Sequence, residues 1–77
     1  MQRIAVINVS IKDKSFKSVF PIAENVQEYE IADEAYRLGL LFADTQVIAT
    51  YGHRISSSEF ATFLRDLEYN YEIKEVQ

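Results

Sequence analysis

Residues 3–22, RIAVINVSIKDKSFKSVFPI, read as two strands joined by a polar turn. Ala5, Ile7, Val9 and Ile11 recur at every second position, the side-chain period of an extended strand. They share one face, and Arg3, Asn8 and Ser10 mark the other as partly wet. Ile4 and Val6 interrupt that polarity and imply cover on both sides of the strand's first half. Lys12-Asp13-Lys14-Ser15 supplies the turn. Residues 16–22 return with Phe16, Phe20 and Ile22 in step, apart from a gap at Ser18. Pro21 has no N–H to give to a ladder, which places it at a strand end or an open edge. A hairpin with one apolar face needs cover for that face, and the rest of the chain must provide it.

The cover is helical. Asn25-Val-Gln-Glu28 has capping-box spacing and opens a first helix. Ile31, Ala35, Leu38 and Phe42 follow as its core stripe, with small residues at Ala32, Ala35 and Gly39. Glu30, Asp33, Glu34 and Arg37 form its outer face, with Asp33 and Arg37 at i,i+4. Gly39 is a candidate stop, but the apolar stripe carries the helix to about Phe42. Residues 46–51, QVIATY, read as a third strand, with Val47, Ala49 and Tyr51 on one face. Gly52-His53-Arg54 breaks it, and Ser56 to Glu59 is a second capping box. Phe60, Phe63, Leu64, Leu67 and Tyr71 then fall at helical spacing. Glu72 to Val76 adds a short edge strand or frays. The expected fold is a single α+β domain over residues 1–77, ordered ββαβα with an optional last β. Its mostly antiparallel sheet carries both helices on one face.

Composition excludes several function classes. There is no Cys, no Trp, one His (His53) and only two Gly, so disulfides are excluded and a structural zinc is nearly so. No Gly-rich phosphate loop and no nucleophile–base pair stands out, and the expected domain is not an enzyme and needs no cofactor or metal. His53 beside Ser56 and Ser57 could serve catalysis only with a partner, and those serines are better explained as caps. No apolar run approaches the ~18–20 residues that span a bilayer. The lack of Cys fits a reducing cytoplasm.

Charge is unevenly spread over a chain of net charge −4. Residues 1–23 carry Arg3, Lys12, Lys14 and Lys17 against Asp13. Residues 24–44 carry Glu24, Glu28, Glu30, Asp33, Glu34 and Asp44 against Arg37. An acidic total argues against direct nucleic-acid binding, because phosphate contacts dominate such affinity. It suits a larger partner protein with a basic surface.

The candidate contact surface is therefore the first helix: Glu28, Tyr29, Glu30, Asp33, Glu34 and Tyr36. Carboxylates three and four apart on a helix lie roughly 5–6 Å from each other, close to the spacing of phosphates along a strand. Tyrosine beside carboxylates suits a binding patch. Two other uses of the chain stand beside this one. The exposed sheet face or a strand edge allows a homodimer. The hairpin lysines Lys12, Lys14 and Lys17, with Phe16 between, allow single-strand binding. In size, acidity and lack of catalytic residues the chain resembles the short acidic α+β proteins that phages and mobile elements encode against host machinery, anti-CRISPR proteins among them. That resemblance implies a stoichiometric inhibitor or regulator of a nucleic-acid-binding protein and transfers no site residues.

Overall fold

A computed structural model describes residues 2–77. Strands β1 (Gln2–Ile11) and β2 (Lys14–Ile22) form the hairpin, followed by α1 (Glu28–Tyr51), α2 (Ser57–Phe63) and β3 (Leu67–Val76). A 3-10 turn, Leu64–Asp66, leads from α2 into β3. The sheet order is β2-β1-β3, antiparallel throughout. Both registers run unbroken, from Arg3 opposite Ile22 to Ile11 opposite Lys14, and from Gln2 opposite Val76 to Ile11 opposite Leu67. Lys12 takes φ 55° at the first position of the two-residue hairpin turn, where the strand twist requires a positive φ.

The alternation of β1 has the expected result. Ala5, Ile7, Val9 and Ile11 are all buried under the helices. Ala5 packs with Ile22 and Ile31, Ile7 and Val9 with Ala35, and Ile11 with Ala43, Val47 and Phe63. The last cluster holds residues of both helices, so both lie on one face of the sheet. Full burial of Ile7 or Ile11 contributes about 1.5–3 kcal/mol each. Val6 is buried on the opposite face as well, where it sits between Val19 and Glu72.

Several parts of the sequence reading need correction. Residues 46–51 are not a strand; they complete α1. The buried row Ile31, Ala35, Gly39, Ala43, Val47 advances by four, and Val47 closes it against Ile11. A short run such as QVIATY satisfies both periods, and burial decided between them. Gly39 is inside the helix, as the apolar stripe implied, but α1 runs beyond Phe42 to Tyr51; Gly52 ends it at φ 78°, its N–H bonded to the Ile48 carbonyl at 2.8 Å.

The second helix is shorter than its stripe, because Leu67 and Tyr71 belong to β3. They fit helical spacing from Phe60 and also the two-residue period of Leu67, Tyr69, Tyr71 and Ile73. The C-terminal strand is thus ten residues long and begins before Glu72. The element order is ββααβ.

The α1 cap lies two residues later than the Asn25–Glu28 box: Gln27 N–H donates to Glu30 Oε2 at 2.8 Å. The second box is where the sequence placed it. Ser56 Oγ accepts from the Glu59 N–H at 3.2 Å, and Ser56 N–H donates to Glu59 Oε1 at 3.2 Å. Arg3 is not on the wet face with Asn8 and Ser10; it shares the helix-side parity of Ala5, and its guanidinium donates to the Val26 carbonyl at 3.2 Å.

Candidate functional site

α1 is a single long helix over a narrow sheet, and it is not centred. It lies chiefly over β1 and β3. Gly39 makes this approach feasible: a Cβ there would meet Leu67 Cδ2 at 3.3 Å and Tyr69 Cδ1 at 3.7 Å. The helix therefore has two unlike flanks.

The flank above β3 is aromatic. Tyr29, Asp33, Tyr36 and Leu40 follow at i, i+4, i+7 and i+11 and share one side of α1. Tyr36 meets Tyr69 of β3 edge-on at 5.8 Å between ring centroids. Tyr29, Tyr36 and Tyr69 remain 66%, 51% and 44% exposed. Glu28, at the start of the helix, is near Tyr71. Partial burial first, and the Glu28 carboxylate second, hold the Tyr71 phenol above its ordinary pKa.

The flank above β2 is an apolar groove with an acidic end. Phe16, Leu38, Leu41, Phe42 and Thr45 line a depression of about 360 Å³. Phe16 stacks on Phe42 at 6.1 Å, yet Phe16 and Leu41 are still 48% and 58% exposed. Glu30 and Glu34 precede Leu38 and Leu41 on the same side by helical spacing. Glu34 pairs with Arg37 at 3.8 Å, an exposed contact that replaces the expected Asp33–Arg37 pair and leaves the carboxylate accessible.

The six residues singled out in the sequence are thus not one patch. Tyr29, Asp33 and Tyr36 belong to the β3 side, and Glu30 and Glu34 to the β2 side. Glu28 sits by Tyr71, and Glu30 also holds the helix cap. The sequence reading did not join Tyr69 to Tyr36. It missed the groove altogether; the spacing of Leu38, Leu41 and Thr45 was the available signal, with Phe16 opposite.

The other candidates are dispersed. Lys12 bonds Asp66 at 2.9 Å and lies 5.5 Å from the centroid of the Phe63 ring. That bond, with the Asp66 charge, raises the Lys12 pKa. Lys14 lies in the row of Ile11 and Lys17 in the row of Asn8, so strand alternation sends them to opposite faces. His53 Nδ1 lies 2.7 Å from the Arg54 carbonyl, and Ser56 is committed to its cap. Among the described residues no group of three or more His, Asp or Glu could hold a metal ion. No helix of the described residues is long and apolar enough to cross a membrane.

No protein-family profile matches the chain, and no curated protein or solved structure is similar enough to indicate kinship.

Proposed function

We propose that the domain is a non-enzymatic binding module, a stoichiometric inhibitor or regulator of a larger protein with a basic, nucleic-acid-binding surface. The observation that carries this is the β2-side groove: large apolar side chains left half in water, with Glu30 and Glu34 at one end. An apolar side chain of the partner would enter between Phe16 and Leu41, and neighbouring Lys or Arg would meet the carboxylates. Apolar contact then supplies affinity, and charge supplies the rate and the orientation of encounter. The likeness in size and acidity to phage-encoded inhibitors supports the same reading.

The test separates the two halves of the site. Glu34→Lys reverses charge at the acidic end without touching the Glu30 cap, and Leu41→Ser removes the exposed apolar contact. A host protein captured by the wild type is purified and titrated with all three forms. A one-to-one complex is expected, weakened by salt and by both variants. Binding that survives both would remove the groove from the contact.

A further inference from the structure

We propose that β3 is a self-pairing edge, at which two copies of the chain join antiparallel about Tyr71 into one six-stranded sheet. The inference does not depend on the groove, because it uses the opposite edge and the opposite flank of α1.

The two edges differ in what their backbones offer. In an antiparallel ladder, residues alternate between bonding one neighbour and the other. The hairpin closes at Ile11 and Lys14, so odd residues of β1 bond β2 and even ones bond β3. On β3 this turns Leu67, Tyr69, Tyr71, Ile73 and Glu75 outward, none of them proline; the Leu67 N–H is bonded to the Leu64 carbonyl, and those of Tyr69, Tyr71, Ile73 and Glu75 remain to be offered. On β2 the outward residues are Ser15, Lys17, Val19 and Pro21, and Pro21 has no donor. A proline is one means of protecting an edge; β3 has none and presents a long, regular ladder.

Side chains then select the register. Keeping the helix face on one side requires like parity across the new pair. Centring on Tyr71 engages residues 67–75 of each strand. It sets Glu68 opposite Lys74 of the second copy, twice by symmetry, and Tyr69 opposite Ile73. Centring on Asn70 would oppose Glu68 with Glu72, and centring on Glu72 would oppose that residue with itself. Centring on Ile73 shortens the pairing. Because α1 lies over β1 and β3, the same symmetry lays its Tyr29–Tyr36 flank against its counterpart. That covers Tyr36 and Tyr69, which the single chain leaves half exposed. For a domain this small, a second copy supplies burial that its own core lacks.

The test is a charge swap read by light scattering at tens of micromolar chain. The wild type should have twice the 8.9 kDa chain mass. Glu68→Lys alone and Lys74→Glu alone should each weaken the dimer about tenfold or more, since each opposes like charges at two positions. The double variant Glu68→Lys/Lys74→Glu should regain the dimer. Both sites are exposed, and unchanged far-UV circular dichroism confirms the fold of each variant. A monomeric wild type, a dimer indifferent to the single changes, or a double variant that stays monomeric would each overturn the proposal. None of these results bears on partner binding in the groove.

Discussion

The two sides of α1 are built from one helix and one sheet, yet they differ in kind. On the β3 side the helix comes close, Gly39 against Leu67 and Tyr69, and aromatic rings lean together. On the β2 side it stands off, and Phe16, Leu38 and Leu41 border an open groove. The edges differ in the same sense: β2 carries Pro21 at an outward position, where it has no N–H to offer, and β3 carries no proline. The cause is the placement of small residues. Ala35, Gly39 and Ala43 draw the helix down onto β1 and β3, and Phe16, though stacked on Phe42, stays half exposed. A single helix cannot cover three strands, and the uncovered remainder is where this domain can touch other molecules.

The largest effect should come from damage shared by both sides. Ile7 lies beneath α1 with Ser18 on one side and Tyr71 on the other. Ile7→Ala should cost about 2–5 kcal/mol in urea unfolding. Both edges should loosen together.

A change confined to the close side comes next. Gly39→Leu would push a side chain into Leu67 and Tyr69 and should destabilise by about 1–3 kcal/mol. Leu41→Ser on the open side should stay within about 0.5 kcal/mol of the wild type. Equal losses at the two positions would mean that the helix is not seated as described.

α2 is a reference region away from both flanks. Ser56→Ala removes the side chain that accepts the Glu59 N–H and should cost about 1 kcal/mol by thermal unfolding. Neither dimerisation nor groove binding should follow it.

The smallest effect is a pH dependence in the same cap. The Ser56 side chain, and then its backbone N–H, hold the Glu59 carboxyl below its ordinary pKa. A pKa lower in the folded than in the unfolded chain gives stability that is present above the unfolded value. It is lost as the pH falls through the folded one. Acid should therefore narrow the gap between the wild type and Ser56→Ala, and a gap that widens on acidification would contradict the cap.

Much of the fold was legible because β1 and β2 repeat at two residues with no competing period. The Ser56–Glu59 box was legible because its residue types have few other uses together. Residues 46–51 were not, since Val47 fits a strand and also the four-residue row from Ile31. Leu67 and Tyr71 misled for the mirror reason, being in step with Phe60 and with Tyr69 alike. In both places tertiary burial chose, which local spacing does not contain. The acidic helix was visible in composition, but its division into two flanks depends on which strands lie beneath it. Tyr36 met Tyr69 only once β3 was placed, and the groove appeared only once β2 was left uncovered.

The most direct test of the asymmetry between the two edges is residue-resolved amide hydrogen exchange on the wild type at tens of micromolar chain. Asn70 and Glu72 bond β1 and should exchange slowly in any case. Tyr69, Tyr71 and Ile73 should be equally slow if β3 pairs with a second copy, with Ser15, Lys17 and Val19 of β2 exchanging fast. Fast exchange at Tyr69, Tyr71 and Ile73 beside slow neighbours would show β3 to be as unpaired as β2 and would contradict the difference between the edges.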